Sequence, residues 1–485
     1  MDLPFGEWLP DAPKYNNPGM PTVCNVYPGP GAYKPVGDLT PVSSALDAYA
    51  RAAITTRDKD RNVRQYAGNA SKLYELVSTT WTDRSKVGGY STSTEERWEL
   101  LRWKNKLLAV NYDDNPQSIT FGDPAFADLT TAFRARHIWA VGDRVVVGNT
   151  YDATDGEQHD RVRWCAADDE TDWTISAATG ADKRDLGVGG HIQRGISGDV
   201  GVIISEKSVF RQQYVGGETW FQIDQTLDEI GAIAPGAVVN FKDHIFIWSR
   251  QGFYVVTGRG TNAQPIGANK VDKFARADLD QSYIHRISSV IDPTLGRVAW
   301  AYPGSGNTDG IPNKILIYDF TLNQWSIIEK ELDILYAAGG VAFTLEDLDA
   351  FGDLDSLPAS LDSERWKGEG QLFAAFDTDH KSGYFDGSNL EAEFHLPEIQ
   401  PIPGRRSRLG PIIPQIDGGA VTAKVATRLA LQHTQTETGT LTQHAEGKIY
   451  PRVESRYHQV KITATGQWTD AVGVEIDGAA PGGRR

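Results

Sequence analysis

From about residue 60 onward, short apolar runs alternate with tight polar turns. Leu100 to Val110 reads LLRW, turn KNK, LLAV, and Ile138 to Gly148 reads IWAV, turn GDR, VVVG. Gly195 to Ile204 reads GIS, turn GDV, GVII, and Val238 to Trp248 reads VVNF, turn KDH, IFIW. The turns fall at Lys104-Asn105, Gly142-Asp143, Gly198-Asp199 and Lys242-Asp243. Gly or Lys followed by Asn or Asp is hairpin chemistry, because such a turn needs residues that tolerate positive φ. Weaker copies flank these, QYAGNASKLYELV around Gly68-Asn69 and IDPTLGRVAWAY around Leu295-Gly296. Further strands follow the hairpins: QSITF, RVRWC, SVFRQQYV, GFYVV and ILIYDF, beginning at Gln117, Arg161, Ser208, Gly252 and Ile315. Trp173, Trp220 and Trp325 recur after them. A unit of three or four strands repeating every few tens of residues is the pattern of a β-propeller, of about six to seven blades. The recurring tryptophans would bury large area between neighbouring sheets. A pair of β-sandwiches is the alternative all-β arrangement.

The flanks differ. Residues 1–40 carry PKYNNPGMP and YPGPGAYKP, which cannot be helical for long and read as an extended arm lying on something else. Residues 41–53, PVSSALDAYARAA, read as a short helix, with Pro41 and Ser43 at its start and Ala45, Leu46 and Tyr49 on one face. Residues 341–366 are an acidic stretch, with Asp347, Asp349, Asp353 and Asp355 among apolar residues. It lacks the spacing and terminal Glu of an EF-hand and reads as a solvated connecting loop. Residues 367–485 return to strands, QLFAAFD, VTAKVATRLAL and YHQVKITATGQW, and end in an unpaired-looking tail, AAPGGRR. The expected organisation is a propeller over 61–340, inserted in a β-rich platform made by both chain ends: 1–60 from one side and 367–485 from the other. The C-terminal strands alone are too few for comfort, and chain ends often meet around such insertions.

Composition narrows the function. The 485 residues exceed one compact core and suit two to four domains. A net charge of -16 argues against tight nucleic-acid binding, which draws its affinity from neutralised phosphates. It is compatible with an acidic wall past which DNA slides, and also with plain solubility. Cys24 and Cys165 form no CxxC pair and read as reduced core thiols. The start, MDLPFGEWLPDAPKY, is no signal peptide, and no window is apolar enough to span a membrane. Synthesis in a cytoplasm is expected.

No catalytic constellation stands out. G-x-S-x-G, G-x-x-x-x-G-K-[ST] and H-E-x-x-H are all missing, and GVGGHIQRG at Gly187–Gly195 lacks the phosphate-loop lysine. His137, His159, His191, His244 and His285 have no metal-ligand spacing. GGETW and DDETDW only half match the boxes of sialidase propellers and read as turn-plus-Trp packing devices. No cofactor or metal is expected. One local feature departs from the acidic background: PGRRSRLG places Arg405, Arg406 and Arg408 in one loop. It is either solvated or an electrostatic contact to a neighbouring subunit or ring, where Arg pairs bidentately with carboxylates.

The opening FGEWLPDAPKYNNPGMPTVCNVYPGPGAYKP resembles the start of short-tailed phage (podovirus) tail proteins. So does the block from Val63 onward, with its YAG, LYEL, W-x-D-x-S and GGY elements, and the close ESRYHQVKITATGQWTDAVGVEIDGAAPGGR. The similarity is to tail nozzle, tail tubular protein B-like and packaged-DNA-stabilising tail hub proteins. It implies a structural virion protein made in the host bacterial cytoplasm, not an enzyme. It further implies a homohexamer below the portal and adaptor ring, with tail fibre or needle proteins as neighbours. Double-stranded DNA would be retained in the lumen after packaging and conducted during ejection, without sequence-specific binding. The rival expectation is a tail-associated propeller that binds a receptor or degrades polysaccharide.

Overall fold

The computed structural model describes residues 1–217, 219–339 and 371–482. The acidic stretch at 341–366 lies outside them. The described residues form a seven-bladed β-propeller, each blade a four-stranded antiparallel array. Blade 1 spans 52–83, blade 2 99–128, blade 3 134–185, blade 4 192–228, blade 5 238–265 and blade 6 288–329. Blade 7 takes three strands from 334–339 and 371–389, and its outermost strand, Gly37–Ala45, from the N-terminal region. Inner strands of neighbouring blades touch around the ring, and blade 7 meets blade 1. Radial sheets around one axis replace the sandwich-pair alternative.

The turns explain why the blades fold locally. Two-residue hairpin turns at 104–105, 142–143 and 242–243 join paired strands, as Trp103↔Lys106, Val141↔Arg144 and Phe241↔His244 show. Lys104, Gly142 and Lys242 take φ of +53°, +59° and +53°, the left-handed conformation that the turn chemistry called for. All six expected turns are hairpins, but Gly68-Asn69 joins the second and third strands of blade 1. The first hairpin of that blade turns at 58–62, where the Asp58 carboxylate accepts from the backbone of Asp60 and Asn62.

Between the blades lie the cores. A hydrophobic cluster occupies each of the seven seams, and the one between blades 5 and 6 runs on into the platform. Tryptophans fill several of the seams as expected: Trp173 lies between blades 2 and 3, and Trp325 in the core shared by blades 5 and 6. Trp139 of blade 3 is fully buried against Gly195 of blade 4, where a Cβ would stand 2.0 Å from the ring. Glycine there is what lets two sheets close over an indole.

The short helix expected at 41–53 does not form. Gly37–Ala45 and Ala52–Arg57 are strands, and Thr40 pairs with Tyr384. Its apolar spacing fits a strand as well as a helical turn, and the open edge of blade 7 supplies backbone partners that a lone helix lacks. Blade strands therefore extend on both sides of the expected 61–340 segment.

Both chain ends weave into one platform sheet. Asp2–Pro4 pairs with the strand Tyr457–Ile476, and Thr22–Cys24 pairs with Ala392–His395. Ile412–Arg428 and Tyr457–Ile476 form the long antiparallel pair at its centre. The same Thr22–Cys24 strand also runs parallel to the outer strand of blade 6, at Cys24↔Ile327, so platform and propeller share a sheet. Cys24 and Cys165 are buried free thiols. The tail is partly paired, since Ala479–Pro481 bonds Ser407–Leu409. Among the described residues no helix is long and apolar enough to cross a membrane.

Candidate functional site

Two places gather exposed or cavity-facing charge. One is the loop with the three arginines. Arg405 and Arg406 precede the strand Ser407–Leu409 and Arg408 lies within it; all three are exposed. The strand is fixed on both sides, by Ala479–Pro481 and by Glu454–Ser455. Ser407 is buried, with His458 Nε2 3.2 Å from its hydroxyl. Arg408 borders an open groove of about 510 Å³, together with Leu409, Tyr450, Arg452 and Asp477. Among the described residues, none of the three guanidiniums has an ion-pair partner. A paired strand thus presents Arg408 to solvent, with Arg405 and Arg406 in the loop leading into it.

The other place is the mouth of the propeller axis, on the face where the chain enters the innermost strands. There Arg97 before blade 2, Arg136 and His137 on the inner strand of blade 3, His159 on its third strand, His191 before blade 4, Arg250 in a turn of blade 5, and His285 before blade 6 come together. They line a cavity of about 510 Å³. Deeper in the axis, Glu99 accepts from His137 at 2.8 Å and faces Arg194 at 3.3 Å. Burial alone would raise the Glu99 carboxyl, but Arg194, His137 and Arg97 outweigh it and hold the group below its usual range. Arg136 clamps Glu96 at 2.6 and 2.9 Å and stacks over the Tyr112 ring at 3.9 Å. The rings of His159 and His191 stack at 4.1 Å. Burial, then the charges of His191 and Arg136, push His159 below its ordinary value.

A side pocket of about 80 Å³ opens from this mouth among the loops of blades 6, 7, 1 and 2, lined by Arg51, Arg97, Arg286, His285, Tyr49 and others. The sequence singled out none of these arginines. They stand alone between unrelated runs, far apart along the chain, and no spacing motif marks them. Among the described residues no group of three or more His, Cys, Asp or Glu side chains could hold a metal ion. Trp220 of GGETW packs on the Arg144 guanidinium at 5.0 Å, and Trp173 of DDETDW donates to the Glu170 carbonyl at 2.8 Å. Both act in packing.

No family model and no curated protein matches the chain. Solved structures similar to it include BamB from Moraxella catarrhalis, at 11% identity and TM-score 0.34, covering 71% of this chain and 92% of that one. YCF48 bound to D1 peptide is similar at 14% identity and TM-score 0.37, over 61% of this chain and 85% of that one. The extracellular domain of a chain assigned as a one-component system of B. thetaiotaomicron is similar at 10% identity and TM-score 0.43. It covers 85% of this chain, but only 48% of its own length is spanned. It is the strand pairing itself that shows the described residues to be an all-β protein built on a propeller.

Proposed function

We propose that the chain is a structural tail nozzle of a short-tailed phage. In this reading it forms a ring, six copies by resemblance, below the portal and adaptor, and has no catalytic role. The ring retains packaged DNA in the virion and conducts it during ejection. The observation that supports the reading most is the weaving of both chain ends into one platform, with the propeller carried between them. That architecture suits a ring subunit, whose platform meets its neighbours while the propeller projects. The charge of -16 per chain fits a bore that repels phosphates and lets duplex slide. Arg405 and Arg406, exposed just before a fixed strand, and Arg408, exposed on it, are the proposed contact to a neighbouring subunit or to the adaptor ring. Sedimentation of the purified protein, with imaging of its complex with DNA-filled heads, is the test. A closed ring seated below the adaptor is expected; a monomer that never joins heads, or a ring that holds duplex at physiological salt, would overturn the reading.

A second reading, a propeller that binds or degrades host-surface polysaccharide, draws support from the cavity at the axial mouth. Sizing host polysaccharide after incubation with the protein separates the two. Depolymerisation abolished by one carboxylate substitution at that mouth favours the second.

A further inference from the structure

We propose that the side pocket at the axial mouth binds a phosphate group, free or carried on a sugar, through Arg51, Arg97 and Arg286. The inference does not depend on the nozzle reading. Three guanidiniums line one pocket of about 80 Å³, room for a single small oxyanion. Neutral groups hold each of them in place. Arg51 Nη1 donates to the carbonyls of Thr92 and Glu96, both at 3.1 Å, and to that of Ser93. Arg97 Nη1 donates to the Ile287 carbonyl at 3.1 Å. Arg286 lies over the rings of Tyr49 at 4.8 Å and Tyr283 at 5.7 Å.

None of the three has a carboxylate within ion-pair distance among the described residues. Two acids border the pocket. Glu96 is already clamped by Arg136, and the charges of Glu99 on Arg97 and of Asp113 and Glu96 on Arg51 act through space and not as ion pairs. A charge cluster fixed by carbonyls and rings is positioned yet has no carboxylate in direct contact among the described residues, and a bound anion supplies that close counter-charge through charge-assisted forks. Positioning is built into the backbone as well. A Cβ on Gly236 would stand 2.2 Å from Arg97 Nη1 and 1.8 Å from the Ile287 carbonyl oxygen, so glycine there leaves the space the guanidinium fills. Burial, then the Arg194 charge, push Arg97 down to about 10, which keeps it charged at neutral pH. Lowered Arg51 and His285 carry the same sign of strain. Burial acts first on both, and the Arg286 charge contributes to each.

The probes are sulfate, inorganic phosphate and glucose 1-phosphate, titrated calorimetrically into the full chain at low ionic strength, with glucose as the uncharged control. One site per chain is expected for sulfate and phosphate, with a concentration-dependent rise in Tm. Arg97→Gln and Arg286→Gln should each weaken binding at least tenfold, while Arg286→Lys, which keeps the charge and loses the fork, should fall between. Lys59→Gln, in the first hairpin turn of blade 1 and outside the pocket lining, should bind like wild type. Thermal melts without anion establish that each variant is folded. Glucose 1-phosphate binding tighter than phosphate assigns the site to a sugar-borne phosphate, and equal affinity assigns it to the free ion. Absence of binding to the wild-type chain, or folded Arg97→Gln and Arg286→Gln variants that bind like wild type, overturns the proposal.

Discussion

Propeller and platform are both β-sheet, yet they are assembled from opposite kinds of contact. A propeller seam such as that between blades 3 and 4 closes Trp139 on Gly195, in blades that follow one another along the chain. The platform pairs Asp2 with Glu475, the two ends of the molecule. Blade 7 has the shape of the first and the connectivity of the second, because its outer strand arrives from Gly37–Ala45. Local pairings carry little loop-closure entropy, whereas end-to-end pairings wait for the whole chain. The blades are therefore the part that can form early, and the platform and the seventh blade are what lock the ring.

Deletions cut most deeply into that contrast. Removing residues 1–36 should strip the platform of its N-terminal strands and leave the propeller protease-resistant. Removing 1–45 should also open blade 7 and expose blades 7 and 1 to cleavage. Limited proteolysis followed by fragment sizing tells them apart, and identical digestion patterns would mean that Gly37–Ala45 does not close the ring.

Trp139→Ala tests a single seam. It empties a fully buried indole from the core of blades 3 and 4 and should cost about 3–5 kcal/mol by denaturant melts. A loss below about 1 kcal/mol would show that the seams are loosely packed.

Ring closure has a pH signature at Asp333. Its carboxylate accepts from the Ala50 N–H at 3.0 Å and from His380 at 2.6 Å, bridging blade 7 to the segment entering blade 1. Burial pushes the carboxyl up to about 6, against the opposing pull of the Ala50 N–H and His380. A raised folded value means that the native state holds the proton more tightly than the unfolded chain. The contribution is thus fully present below pH 3.8 and is lost as pH rises through about 6. Asp333→Asn stays neutral, so between pH 4 and 6 its stability should fall less than that of wild type, the difference reaching up to about 3 kcal/mol. Parallel stability curves across that window would remove Asp333 from the account.

The smallest effect on folding belongs to the platform surface. Replacing Arg405, Arg406 and Arg408 together by Ser should change stability by less than about 0.5 kcal/mol, since exposed side chains with no ion-pair partner among the described residues hold little of the fold. The same variant should join DNA-filled heads less well, and the wild-type advantage should shrink as salt rises. Assembly equal to wild type at every salt concentration would dismiss the contact.

Which features were legible follows the same division. Turn pairs such as Lys104-Asn105 and Gly142-Asp143, with the apolar runs beside them, carry their hairpins locally, and the repeat of those hairpins carries the propeller. The first hairpin of blade 1 carries no such pair, because DKDRN turns through the Asp58 side chain. Residues 41–45 of the strand Gly37–Ala45 carry a helix-like spacing, and nothing local corrects it, because the partner strand Lys381–Asn389 lies more than three hundred residues away in sequence. The arginines of the axial pocket were invisible for a related reason. Arg51, Arg97 and Arg286 each precede an inner strand of a different blade, and only the circular order of blades 6, 7, 1 and 2 makes them neighbours.

The amino-acid sequence by itself determined the hairpins, the all-β class, the excess of negative charge and the tryptophans that fill the seams. These depend on the conformational preferences of a few adjacent residues and on burial of large side chains. Only the tertiary structure decided the number of blades, the strand that closes the seventh, the union of the chain ends in one sheet and the convergence of cations at the axial mouth. Each of those depends on backbone edges and charges that meet across hundreds of residues, where local preference carries no information and packing of the whole ring selects the partner.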